Sequence, residues 1–233
     1  MKICYITYTN SKCSDVWDIF IKQQNKYTNL PLFFISDKPI PGYEEKTFIY
    51  DNDDNYSSTW VNTLKKLEYD FFIYLQEDFF LYEKVNEEKL FEYVQFLEKN
   101  EEYSFVRLIK SGYLGEKRLS ETLYEIESSN SFIFAMQATI WKKTEYIHLL
   151  ERVQEPKWLE TNKYREIMGE LNMMGAYHYD NELKRGGCHY DSSVYPYIAT
   201  ALVKGKWILS EYGDILQNIL KEHNVDVNKR GVC

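Results

Sequence analysis

The stretch Tyr74-Leu-Gln-Glu-Asp-Phe-Phe-Leu81 sets an amide and two carboxylates, Gln76, Glu77 and Asp78, at the end of the apolar run 70–75. Oxygen donors gathered this way suit a hard divalent cation such as Mg²⁺ or Mn²⁺, which takes one or two carboxylates and completes its shell with substrate phosphates. Strand residues two apart share a face, so Gln76 and Asp78 are expected to enter a crevice together and Glu77 to point away unless the chain has already turned. Asp78 is the favoured ligand. Two further polar tips end apolar runs: Thr7, Tyr8, Thr9 and Asn10 after the first, and Asp37 after the second. Open α/β sheets bind ligands outside the carboxyl ends of their strands, where all three tips are expected to lie.

The elements that must place these tips follow from periodicity. Runs 2–9, 32–36, 47–50 and 70–75 read as strands, the last as a run buried on both faces in a parallel sheet. Between them, Ser14 or Asp15 is expected to cap a helix with Val16, Ile19 and Phe20 on its apolar face and Lys22, Gln23 and Gln24 polar. Ser57 or Ser58 is expected to cap a second, with Trp60, Leu64 and Leu67 on one side, and a third turns Leu90, Phe91, Val94 and Leu97 inward. Strand and helix alternating over the first hundred residues predict right-handed βαβ units in an open, doubly wound sheet. Beyond, 103–109 and 131–141 read as strands, 144–153 and 160–174 as helices, 177–179, 194–199 and 206–209 as short strands, and 214–223 as a last helix. The expectation is one domain over 1–233, without linker or repeat.

Composition narrows the function. A chain of 233 residues with 44% hydrophobic and 27% charged residues is that of a well-cored globular protein. No stretch approaches 18 consecutive apolar residues, and the first run is short for a signal or anchor, so a soluble, cytoplasmic protein is expected. A net charge of −8 argues against nucleic acid as partner. Four scattered cysteines form no Cys-x-x-Cys pair, which speaks against a zinc ribbon or redox motif. There is no Gly-x-Gly-x-x-Gly and no P-loop. Asp51-x-Asp53-x-Asn55 opens like a calcium loop, but Tyr56 and Asn62 stand where glycine and a bidentate glutamate are needed. Aromatic residues make up 17%; most fit core positions, while Tyr8, Trp158, Tyr177, Tyr179 and Tyr190 are expected near ligand.

The acidic tip, followed by Gln137-Ala-Thr-Ile-Trp141, Glu155-Pro-Lys-Trp-Leu-Glu160 and Gly205-Lys-Trp207, resembles nucleotide-sugar-dependent glycosyltransferases of the GT-A fold. The likeness covers most of the chain and is greatest to the short single-domain members of large DNA viruses and bacterial polysaccharide clusters. It implies an open mixed α/β sheet with a Rossmann-like nucleotide-binding half over 1–100, helices on both faces, and an elaborated acceptor-side half over 101–233. It also implies a UDP- or GDP-linked sugar donor, a glycan or other hydroxyl acceptor, and Mn²⁺ or Mg²⁺ on Asp78. Gln76 stands where the family's first acidic residue usually does. Thr7 to Asn10 and Asp37 match nucleoside contacts, and the Trp60 helix would back the diphosphate, together with Gln76 and Glu77. Lys204, Lys206 or His189 would assist or replace the metal, with His189 resembling a metal-shell histidine. Glu160 matches the general base. Trp158 and Tyr179 would stack on the acceptor.

Two alternatives stand beside this reading. One is nucleotidyl transfer, which typically uses a glycine-rich, Lys/Arg-bearing loop after the first strand; here that loop has no glycine. The other is a non-catalytic nucleotide-sugar or carbohydrate-binding module of the same fold.

Overall fold

The computed structural model describes residues 2–112, 114–155 and 161–233. Strands β1 (Ile3–Tyr8), β2 (Leu32–Ser36), β3 (Thr47–Ile49) and β4 (Phe71–Leu75) are parallel and form one half of an eight-stranded open sheet. β5 (Tyr103–Arg107), β6 (Leu123–Ile126), β7 (Thr139–Lys142) and β8 (Met174–His178) complete it in the order β3-β2-β1-β4-β7-β5-β8-β6. β7 enters antiparallel between β4 and β5, and β6 pairs antiparallel with β8 at the edge. This is the open mixed α/β sheet expected from the sequence.

Alternate residues of the central strands serve two cores. Tyr5, Phe34, Ile73 and Val106 pack with α1 (Ser14–Tyr27), α3 (Glu87–Lys99) and α6 (Gly213–Glu222). Cys4, Ile6, Phe72 and Phe105 pack with α2 (Tyr56–Lys66), α4 (Lys143–Val153) and α5 (Thr161–Glu170). Every residue of β4 is buried, as its unbroken apolar run requires. Each such large side chain contributes about 1.5–3 kcal/mol of burial, so the sheet centre is a rigid base for the loops at its carboxyl end. β8 passes so close to β5 that a Cβ at Gly175 would overlap the Phe105 ring.

Several local expectations are corrected. Neither Ser14 nor Asp15 caps α1; a 3-10 turn, Ser11–Cys13, precedes it, and Asn10 caps that turn. Asn55 caps α2 by accepting from the Ser58 amide at 3.0 Å, whereas Ser57 is buried and its hydroxyl accepts from the Glu155 amide at 2.7 Å. Gln23 and Gln24 are buried and not on the expected polar face; Gln24 donates to the Tyr195 hydroxyl at 2.6 Å, while the side-chain oxygens of both glutamines are buried without a partner. On α3, Tyr93 takes the inward place given to Phe91. Residues 131–137 form turns, leaving only β7 as strand; Met174 begins β8 rather than ending a helix; 194–199 holds a single bridge, Tyr197 to Leu81. β6 was not foreseen. No helix among the described residues is long and apolar enough to cross a membrane.

Candidate active site

A cleft of about 640 Å³ opens at the carboxyl ends of β1 and β4, a volume typical of small-molecule sites. Its floor is the tip of β4. The chain turns directly after Leu75, with the Phe79 amide donating to the Gln76 carbonyl and the Phe80 amide to the Asp78 carbonyl, each at 3.1 Å. Strand alternation therefore ends one residue too early to separate the side chains, and Gln76, Glu77 and Asp78 all line the cleft. The chain has already turned at Glu77, the case in which its side chain is not expected to point away. Asp78 accepts from the Leu202 amide at 3.1 Å, and its own amide and that of Ala201 also face its carboxylate. Burial first, and then the neighbouring Glu77 charge, push its carboxyl up to about 7. Burial also raises Glu77, against donors on its own backbone and on Cys13.

One wall is aromatic. Tyr8 stacks on Tyr50 with centroids 5.0 Å apart and planes 16° apart, and Tyr56 lies 4.7 Å from it. Trp60 is fully buried behind them, 6.1 Å from Tyr8 and 5.8 Å from Tyr74, so it backs the wall and does not line the cleft. Thr9 and Asn10 line it. The Thr9 hydroxyl accepts from the Trp17 indole at 2.9 Å, and the Asn10 amide donates to the Tyr50 hydroxyl at 3.0 Å and to Asn52 at 3.2 Å. Thr7 is wholly buried outside the cleft. Asp37 also lies outside: it accepts from the Ser11 amide at 2.6 Å and hydroxyl at 2.7 Å, fixing the turn that carries Lys12 and Cys13. Burial would lift the Asp37 carboxyl, but these bonds outweigh it and hold it below its ordinary value.

Two cations reach the cleft, Lys12 and Arg230. Neither was singled out from sequence. Arg230 is set by Asp15, which accepts from its Nε at 2.6 Å, and by the Gly205 carbonyl, 3.1 Å from Nη1. Gly205 follows Lys204 in the turn joining β9 (Leu202–Val203) to β10 (Lys206–Trp207); both turn residues have positive φ, 50° and 77°. Lys204 and Lys206 are exposed on this hairpin and do not line the cleft. Met136 and Leu202 also line it, as do Asn52 and Asp54 of the 51–55 loop, which the sequence rules out as a calcium hand but places near the nucleotide.

His189 is not brought to Asp78's cleft. Its Nδ1 pairs with Glu211 at 2.8 Å and its Nε2 faces the Gln137 amide nitrogen at 3.2 Å. Among the described residues no group of three or more His, Cys, Asp or Glu side chains is placed to hold a metal. A cation at the β4 tip would thus rest on Asp78 and Glu77, with substrate and water oxygens for the remainder; two carboxylates fit that demand. Tyr179 lies apart from the cleft, its ring under Lys110 Nζ at 4.2 Å and edge-on to Tyr190 at 5.4 Å. Trp158 and Glu160 fall outside the described residues.

A second acidic tip follows β8. Glu182 accepts from Ser193 through its hydroxyl at 2.8 Å and its amide at 3.1 Å, from the Asp180 amide, and pairs with His178 Nε2. His178 Nδ1 meets the Tyr93 hydroxyl at 2.7 Å, itself 2.9 Å from Thr122. Burial would raise Glu182, but His178 and the amide donors bring it down to about 2.

No protein-family model matches the chain, and no curated protein does. Among solved structures, residues 1–349 of S. aureus TarS align with 16% identity and a TM-score of 0.48 over 83% of this chain. The chain spans 61% of that TarS chain. A cytidylyltransferase from Leptospira borgpetersenii aligns over 98% of both chains with 15% identity and a TM-score of 0.47. CMP:2-keto-3-deoxy-manno-octonic acid synthetase complexed with CTP aligns over 76% of this chain and 89% of its own, with 11% identity and a TM-score of 0.47. These are similarities of backbone architecture.

Proposed function

We propose that the chain is a glycosyltransferase that moves a sugar from a nucleoside-diphosphate donor, UDP- or GDP-linked, to a hydroxyl of a glycan or other acceptor. The observation that carries this reading is the meeting of the Gln76-Glu77-Asp78 tip, the Tyr8–Tyr50 stack and Lys12 in one cleft. The tyrosine stack offers a flat apolar face to a nucleobase, with Asn10 and Asn52 beside it for polar edges. Lys12 supplies positive charge where a diphosphate would lie. Mg²⁺ or Mn²⁺ held by Asp78 with Glu77 would supply compensation for the charge that grows on the departing diphosphate. Asp37 and Trp60 act as positioning residues, the first through Ser11 and the second behind Tyr8. Glu160 is proposed as the base for the acceptor hydroxyl, with Trp158 and Tyr179 on the acceptor side.

Lys12 also favours a second reading. A cation on the loop after β1 is what nucleotidyl transfer asks for, and the cleft would then take a nucleoside triphosphate. A thermal-shift panel of nucleoside-diphosphate sugars and triphosphates, each with and without Mn²⁺, separates the two. Stabilisation by one diphosphate sugar, enhanced by Mn²⁺, is the expected result. Stabilisation by triphosphates alone would replace sugar transfer with nucleotidyl transfer, and no response to any nucleotide would leave the binding-module alternative for a carbohydrate.

A further inference from the structure

Arg107 ends β5 and is 1% exposed. Its Nη2 donates to the carbonyls of Phe132 at 2.8 Å and Ile133 at 3.1 Å, while its Nε and Nη1 are buried with no partner. Arg165 on α5 lies over the Phe132 ring, its Cζ 5.7 Å from the centroid, and its Nε is likewise buried without a partner. Among the described residues neither guanidinium makes an ion pair. Burial, with the Arg165 charge adding to it, brings Arg107 down to about 10, so it still carries its proton at neutral pH. A buried guanidinium with two idle donors beside a second cation is a costly arrangement that a bound anion would offset.

Its place in the sheet ties it to the cleft. Arg107 pairs with Thr139 of β7, and Thr139 with Tyr74 of β4. Paired residues share a face, so Arg107 lies on the face that carries Tyr74 of the cleft lining, two strands or about 10 Å away. The segment that gives Arg107 its two carbonyls also carries Met136 into the cleft.

We propose that Arg107 and Arg165 form an oxyanion subsite that takes a carboxylate or phosphate carried by the second substrate, beside the nucleotide cleft. The anion site stands on this geometry alone; calling its owner the acceptor rests on the function proposed above. Entry requires the Phe132–Ile133 turn to release Arg107. Once released from the two carbonyls, Nη2 forms one edge of the planar fork with Nε and another with Nη1, and either edge matches a carboxylate or phosphate.

The test is side-chain NMR of the full chain, following arginine Nε–H signals during titration with inorganic phosphate and, separately, acetate, at constant ionic strength set by chloride. The expected result is saturable movement of the Arg107 and Arg165 signals with one shared Kd, weakened at least fivefold in R165Q, a change at a half-buried residue that keeps the side chain close in length. The stronger anion names the substrate group. Movement of the Arg230 signal alone would put the anion in the cleft and overturn the proposal, as would no movement of either the Arg107 or the Arg165 signal with both probes. Neither outcome bears on sugar-nucleotide binding, which the thermal-shift panel reads independently.

Discussion

Two strand tips at the same end of one sheet hold acids in opposite conditions. After β8, Glu182 is ringed by donors and driven down to about 2. After β4, Asp78 meets backbone amides, that of Leu202 at 3.1 Å, but it is buried, shares its turn with a second carboxylate, and is driven up to about 7. The same residue class therefore serves as a brace in one place and as an unspent negative charge in the other. The second condition is the kind that functional sites hold, which makes the β4 tip the place to test.

The largest expected effect tests that contrast at Asp78. D78N should lower sugar-transfer or donor-hydrolysis turnover by about 10²–10³-fold, the usual loss when a positioned charge contact to the transition state goes. Its thermal midpoint at pH 7 should stay level or rise, since a carboxyl raised by burial is strained when ionised. E77Q should also lower turnover, because both carboxylates line the cleft; an unaffected E77Q would break the assignment.

E182Q should do the reverse, leaving donor binding intact while removing about 2 kcal/mol of stability at neutral pH. The sign follows from a depressed folded value: the stabilisation is complete above the ordinary carboxylate range and fades as pH falls from about 4.5 toward about 2. Urea unfolding of both proteins across that window should show the two curves converging. Tyr93→Phe removes the hydroxyl shared by His178 and Thr122 and should cost about 1 kcal/mol, read by the same denaturation. Smallest is the paired change K204Q and K206Q, expected to alter donor affinity less than about twofold by calorimetry, because both ammonium groups stand outside the cleft.

How much of this was legible in the chain differs by region for a physical reason. β1, β2 and β4 are buried on both faces, so each is a continuous apolar run whose ends are marked by polar residues. In 131–137 apolar residues such as Ile133 and Phe134 are equally buried but sit in turns, and burial without periodicity looks like a strand. β6 hid because it turns Glu125 inward, where Tyr103 donates to it at 2.6 Å. At the site, the acidic tip announced itself by contrast with the run before it. Its inward set of three did not, since alternation assumes a chain still extended. Tyr50, Met136 and Arg230 carry no local signal at all; tertiary closure alone brings them to the cleft.

That closure has a consequence for the order in which the molecule matures. Arg230 reaches Asp15 across 215 residues, and through Gly205 it also fixes the hairpin that roofs the β4 tip. Contacts of such separation form after local ones have reduced the entropy of joining them. The parallel sheet can therefore assemble and hold its core while the cleft is still unfinished, and binding competence is expected to lag behind burial of Trp60 and Trp141 during refolding.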